Sequence, residues 1–378
     1  MALNNGNVQT PCLLLDAARM RRNIARLKVH LKRLGVPLRP HLKTSKCIEV
    51  ARLLMPTAHG PATVSTLNEA EEFAAGGVRD ILYAVGIAPN KLDRVIALRK
   101  RDVDLSIVLD SLEQARAVVA KCADSGIRIP VLIEIDSDGH RAGVRPVDPL
   151  LLEIAHTLHR GGAELRGVLT HAGGSYDALG MENLILAAEQ ERAAAVHCAQ
   201  RLRDAQLPCP VISVGSTPTA HFSRDLSGVT EVRAGVFVFF DLVMAGIGVC
   251  SVDDVAISVL ASVIGHQSSK GQIIVDAGWM ALSRDRGTAT QKADQGYGLV
   301  CDIEGRPFED LVVTQANQEH GVLGLRPGAQ GMVPDLPVGT QVRILPNHAC
   351  ATSAQHDHYH VVEANEIIVQ WRRIPAGW

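Results

Sequence analysis

Leu38-Arg39-Pro40-His41-Leu42-Lys43-Thr44-Ser45-Lys46 is the stretch on which the reading of this chain turns. An extended apolar approach through Val36 and Leu38 ends in a basic cluster, and from Ile48 to Met55 the apolar residues return at helical spacing. A strand that delivers a lysine to its C-terminal mouth and then hands over to a helix is one unit of a parallel α/β sheet. Lys43, with Arg39, His41 and Lys46 beside it, is expected to be a reactive amine through like-charge repulsion and partial burial, and a neutral amine attacks an aldehyde. The plainer reading of the same residues is a set of solvated charges at a strand–helix junction.

Upstream, Thr10–Asp16 reads as a short apolar strand and Arg19–Leu34 as a helix with Met20, Ile24, Leu27 and Leu31 on one face, ended by Gly35. Downstream the strand–helix unit recurs at Ala62–Leu67, Asp80–Val85, Leu105–Asp110, Val131–Asp136, Leu165–His171, Val211–Ser216 and Glu231–Phe240. With the Lys43 strand this makes eight strands over about 230 residues, each a nearly continuous run of Val, Ile and Leu, which predicts a closed (β/α)₈ barrel over residues 10–245. An open, doubly wound sheet is the alternative.

Beyond Ala245 the period changes from helical to alternating, with strands expected at Val255–Ile264, Gly271–Asp276, Gln341–Leu345, His358–Val362 and Glu366–Trp371, and loops at Gly287–Gln295 and Arg326–Leu336. Residues 246–378, together with 1–9, are therefore expected to form a mainly antiparallel β domain.

Over 378 residues the chain is 47% hydrophobic and 21% charged with a net charge of −2, which places it among ordinary globular proteins. Its basic residues are dispersed, so no nucleic-acid or anionic-membrane partner is expected, and the substrate should be small. No apolar run approaches the ~20 residues of a membrane span, and Met1–Gly6 lacks a basic stretch followed by an apolar one. Eight cysteines without a Cys-x-x-Cys pair suit reduced thiols, and a cytoplasmic location is expected.

In a parallel barrel the chemistry lies at the strand exits, which here carry Lys43, Asp136–Arg141, His171–Tyr176, Gly215–Thr217 and Arg233–Val236. Gly215, Ser216 and Thr217, and again Gly235 and Val236, follow the last two strands, where barrels commonly bind phosphate through backbone N–H groups and a hydroxyl. Ordinary turn chemistry is the plainer reading of these loops, but a phosphate site facing a lysine suits a phosphorylated aldehyde, a description that pyridoxal 5′-phosphate meets. Arg141 and Arg233 offer planar cations for its ring oxygen or ring nitrogen, and Tyr176 could pack on the ring; structural ion pairing and ordinary packing are the alternatives. His348 and Cys350, two apart at an expected strand end, would project to one side as a nitrogen and a sulfur donor for Zn²⁺. His356, His358 and His360 share a face and are the next metal candidates, or simply a polar strand face.

These residues resemble the metal-dependent group of fold-type III pyridoxal-phosphate enzymes, which contains D-threonine aldolase, D-serine dehydratase and D-threo-3-hydroxyaspartate dehydratase. Arg39–Thr44 is similar to that group's cofactor-lysine motif, Asp138–Gly143 to its arginine loop, and Gly215–Thr217 with Arg233–Val236 to its phosphate loops. Phe237 stands where some relatives have a tyrosine. The resemblance implies an alanine racemase-like barrel followed by a β domain, a homodimer, and Arg233 facing the pyridine nitrogen. Pro346–Cys350 looks like the dehydratase form of the metal motif, since the aldolases typically carry aspartate where Cys350 stands. The activity so implied is dehydration of a β-hydroxy-D-amino acid, D-threo-3-hydroxyaspartate to oxaloacetate and ammonia, with D-serine to pyruvate also within reach and Zn²⁺, Mn²⁺ or Co²⁺ as the metal. The rivals are retro-aldol cleavage to glycine and an aldehyde, and a non-catalytic pyridoxal-phosphate-binding protein, which would lack the β domain.

Overall fold

The computed structural model describes residues 8–364 and 366–378. The first seven residues, which make up most of the segment 1–9 assigned above to the β domain, lie outside the described residues. Two compact units result: one takes the chain up to Ala25 together with Val236–Pro375, the other Arg26–Gly235 with Ala376–Trp378.

After β1 (Cys12–Asp16), among the described residues the second unit contains eight parallel strands: β2 (Leu38–Pro40), β3 (Ala62–Val64), β4 (Asp80–Gly86), β5 (Asp104–Leu109), β6 (Pro130–Ile135), β7 (Glu164–Thr170), β8 (Val211–Val214) and β9 (Glu231–Ala234). Neighbours pair in parallel from β3 round to β9 and on to β2. The bridge between His41 and Thr63, with the Leu42 N–H donating to Thr63 O at 2.8 Å, closes the ring between β2 and β3. The sheet is thus a barrel, and the open alternative is excluded. Its helices carry their own start and stop signals. Leu112–Ser125, for example, opens on a Ser111–Gln114 capping box and stops at Gly126, whose φ of 68° is the left-handed conformation that glycine adopts without strain.

Four barrel strands begin with a carboxylate: Asp80, Asp104, Glu164 and Glu231. Arg39 Nε lies 2.7 Å from Glu231 and its Nη1 2.7 Å from Asp80, while Arg166 joins Asp104 at 2.7 Å and Glu164 at 2.9 Å. Farther along the strands, Leu82, Val108, Leu132 and Leu169 form an apolar cluster. Arg39 therefore does not add its charge to the neighbourhood of Lys43, as the sequence suggested; alternation along β2 turns its side chain to the carboxylates.

The other unit is built on a sheet ordered β11-β14-β13-β12-β15-β10-β1-β16-β17, with β10 (Ile257–Gln267), β11 (Gln272–Val275), β12 (Leu299–Cys301), β13 (Pro307–Ala316), β14 (Gly321–Leu325), β15 (Gln341–Leu345), β16 (His358–Glu363) and β17 (Glu366–Arg372). Every pairing is antiparallel except that of β1 with β16. Here the expected division at residue 10 differs from the structure. Cys12–Leu15 is buried throughout, which announces a strand but not its sheet, and β1 pairs with β10 and β16 rather than with the barrel. The expected strand Glu231–Phe240 also ends early, because Val236–Val238 turns into a single 3₁₀ turn.

Replacing Arg39 by methionine leaves Glu231 and Asp80 without their shared cation. We expect a loss of about 3 kcal/mol, read from the shift of the urea unfolding midpoint, with part of it restored when Glu231→Gln is added.

Candidate active site

Lys43 sits in the turn that follows β2, flanked by Leu42, Thr44 and Ser45, all buried, while its own side chain is half-buried. Lys46, the other lysine of the cluster, is spoken for: its Nζ lies 3.1 Å from buried Glu69, which also accepts the Ser65 N–H. The two nearby imidazoles are neutral. Burial holds His41 well below the usual histidine range, and the charges of Lys43 and Arg233 push the same way. Burial, followed by the charge of Lys43, lowers His171 to about 3. A neutral His171 donates from Nδ1 to Gly215 O at 3.1 Å, which leaves an acceptor lone pair on Nε2. The basic cluster of the sequence thus resolves into one half-buried amine beside two imidazoles whose basicity burial lowers.

Arg233, on β9, is buried at 4% exposure, and its guanidinium donates to Ser213 Oγ and Thr170 O. Glu231, Glu191 and Glu134 oppose the burial that lowers its basicity. Next to it the backbone of β8 passes so closely that a Cβ on Gly215, whose φ is 139°, would fall 2.0 Å from Arg233 O. Only glycine fits there. Gly235 is similarly placed, with a Cβ position 3.0 Å from His41 O.

Glu191, which the sequence reading missed because it sits mid-helix in Met181–Asp204, is buried and accepts the N–H of Ala172 (2.9 Å), the N–H of Gly215 (3.0 Å) and the hydroxyl of Thr219 (2.6 Å). The Ser216 N–H in turn donates to Thr219 Oγ1, and Ser216 Oγ meets Ser175 Oγ at 2.8 Å. Two of the backbone donors expected for a phosphate, those of Gly215 and Ser216, are therefore already used inside the protein.

Arg141 is 63% exposed on its side chain and lies 3.8 Å from Glu134, whose carboxyl is raised by burial. Its loop is pinned by Gly139 N–H to Asp136 (2.6 Å), Gly143 N–H to Asp110 (2.9 Å) and Gly174 N–H to Asp138 (2.8 Å). Tyr176 lies tilted against His171, with ring centroids 6.1 Å apart and ring planes at 53°.

In the β unit, His348 and Cys350 are not on a strand: β15 stops at Leu345, and His348 caps the short helix Ala349–Ser353. The helical turn, not strand alternation, brings the two together, and they hydrogen-bond each other. His348 Nδ1 is 2.8 Å from Asp285 Oδ2, and buried Asp241 accepts the Ala349 N–H at 2.9 Å. Burial works against the charge on His348, yet Asp285, Cys350 and Asp241 together raise it to about 11. A nitrogen and a sulfur donor in so anionic a setting fit a divalent cation. By contrast, His356 bonds Ala281 O, His358 bonds Asp357 and His360 faces Gln370. Among the described residues no group of three or more His, Cys, Asp or Glu side chains is arranged to hold a metal.

Comparison with known proteins follows this division. Residues 15–243 match the alanine racemase N-terminal domain, and residues 256–362 a putative serine dehydratase domain. D-threo-3-hydroxyaspartate dehydratase of Delftia sp. (strain HT23) is 54% identical over 98% of both chains, and D-serine dehydratase of Dictyostelium discoideum 28% identical over 98% of both. A cysteine-to-alanine variant of D-threo-3-hydroxyaspartate dehydratase, solved in its metal-free form, superposes with a TM-score of 0.95 at 53% identity over 100% of both chains.

The neutral histidines make stability depend on acidity. An unfolded histidine takes up a proton near 6.5, whereas folded His171 resists it down to about 3. Between those values the unfolded chain binds the extra proton, so stability falls as pH falls, by up to about 1.4 kcal/mol per pH unit. His171→Gln should flatten the dependence of the urea midpoint over that interval.

Proposed function

The chain belongs to the alanine racemase N-terminal domain family, and on that premise we propose that it is a pyridoxal-phosphate- and divalent-metal-dependent dehydratase converting D-threo-3-hydroxyaspartate to oxaloacetate and ammonia, with D-serine to pyruvate as a second reaction. The full-length kinship with a dehydratase of that name carries the reading. In support, a cysteine-to-alanine variant of such a dehydratase is described as metal-free, and this chain pairs a cysteine with a histidine in its β unit.

The residues fit both groups. Lys43 supplies the amine for the cofactor aldehyde, and Gly215, where a side chain would collide with the Arg233 backbone, lets its loop lie close against β9. Thr217, Gly235 and Val236 hold that phosphate, with Gly215 and Ser216 shaping the turn beneath it. Arg233 faces the ring nitrogen, Arg141 the ring oxygen, and Tyr176 flanks the ring. His348 and Cys350 hold the metal. When bound, the cofactor delocalises negative charge from Cα, and the metal acts as a Lewis acid on the β-hydroxyl.

Around that chemistry the chain moves one proton. Lys43 Nζ would take the Cα proton of the bound substrate, the C–H electron pair forming the Cα=Cβ bond as hydroxide leaves from Cβ. Burial makes His41 and His171 weak proton acceptors, which favours Lys43 for that role. The enamine released from the enzyme tautomerises and hydrolyses in water to the oxo acid and ammonia. The same proposal makes the enzyme a cytoplasmic homodimer. No described helix is long and apolar enough to cross a membrane.

Incubation with D-threo-3-hydroxyaspartate, D-serine and D-threonine should release ammonia from the first two; glycine and an aldehyde would mean cleavage instead. Lys43→Ala should lower turnover about a thousandfold, and borohydride should fix the cofactor to the peptide bearing Lys43 in the unaltered protein. Gly235→Val should weaken cofactor binding. A chelator should stop ammonia production while the cofactor's visible absorbance persists, with Zn²⁺, Mn²⁺ or Co²⁺ restoring it; full activity and full metal content in Cys350→Ala would defeat the metal assignment.

A further inference from the structure

His348 has two ring nitrogens, and a neutral imidazole can offer only one of them to a metal. Asp285 decides which. Its Oδ2 lies 2.8 Å from Nδ1, and a carboxylate can only accept, so Nδ1 carries the hydrogen. We propose that Asp285 is a positioning residue that fixes His348 as an Nε2 ligand and so sets the metal affinity of the β unit.

The geometry on both sides of this bond supports the assignment. Cys350 lies within hydrogen-bonding reach of the same ring, so a nitrogen and a sulfur donor are already neighbours. The carboxylate is itself anchored: Oδ1 accepts the Gly287 N–H at 2.8 Å, and the Asp285 N–H reaches Ser283 Oγ at 3.2 Å. Its carbonyl oxygen accepts from Asn347, the residue before His348, at 3.0 Å. Asn347 is buried and is held from further directions by Gly296 O (2.7 Å) and Thr288 Oγ1 (3.1 Å). The segment from Ser283 to Gly296 thus forms a frame whose contacts end on Asn347 and His348. A ligand whose ring is held by an acceptor-only partner loses little orientational freedom on binding and keeps its basic lone pair pointed at the ion.

This inference rests on the reading of His348 and Cys350 as metal ligands, and the experiment separates the two. Full-length protein carrying the cofactor is stripped with a chelator and titrated with Zn²⁺ against a chromophoric competitor, and bound metal is counted by elemental analysis. Asp285→Asn puts an amide donor opposite Nδ1 in its favoured orientation, so the ring must present N–H toward the metal or lose a hydrogen bond. Zinc affinity should fall about 10- to 100-fold. Asp285→Glu, which keeps an acceptor-only group, should recover most of that loss. With Co²⁺ in place of zinc, the thiolate-to-metal absorption should weaken in Asp285→Asn and return in Asp285→Glu, a difference that general loosening of the fold would not produce. The cofactor's visible absorbance and the melting temperature report whether each variant is folded. Unchanged zinc affinity in folded Asp285→Asn, with affinity lost in His348→Ala, would overturn the role of Asp285 and leave the ligands standing. Unchanged affinity in His348→Ala would overturn the ligand reading, and the role of Asp285 with it.

Discussion

A guanidinium buried in a barrel needs partners, and the interior of this one is organised around that need. Arg233 donates to Ser213 Oγ, Ser213 donates to Glu231 at 2.6 Å, Glu231 accepts from Arg39 at 2.7 Å, and Arg39 reaches Asp80. The chain of contacts alternates in sign and links β9, β8, β2 and β4. An isolated charge in such surroundings costs many kilocalories per mole, and a charge with satisfied partners far less. Each member is therefore held by its neighbours, and the polar residues at the strand exits stand on a fixed electrostatic footing.

Glu191 does for the loops what that relay does for the strands. One buried carboxylate gathers the N–H of Ala172, the N–H of Gly215 and the hydroxyl of Thr219, so the loops after β7 and β8 are set by a single helix residue. Burial pushes its carboxyl above the usual carboxylate range, and these donors oppose the shift. The Gly215 N–H, one of the donors a phosphate could have taken, is thereby spent on holding the turn.

The barrel was legible because buried parallel strands leave runs of Val, Ile and Leu at regular intervals between helical patterns. Lys43, Gly215 and Arg233 stood out because strand ends can be counted. What the sequence concealed is what depends on distant partners. Arg39 and Lys46 look like company for Lys43 in one dimension, and only the fold reveals that Glu231, Asp80 and Glu69 engage them. Glu191 and Asp285 give no local signal, since a carboxylate in a helix or loop is ordinarily solvated. Strands β12, β13 and β14 escaped notice for another reason: β13 carries Glu309 and Asp310 and is interrupted by a bulge, which breaks the alternation by which strands are recognised.

The pairing of β1 governs how the molecule can be assembled during synthesis. The parallel barrel draws its strands from one continuous stretch and can begin to form as soon as that stretch has emerged. β1 leaves the ribosome before all of it, yet its hydrogen-bonding edges match β10 and β16, which are made much later. An apolar segment, Cys12 to Leu15, must therefore wait with both edges unpaired while the barrel is being made. Long-range pairings of this kind are slow to form, and their exposed edges invite association with other chains. Protection of this one segment, more than of the barrel, is what a cell producing the protein has to provide.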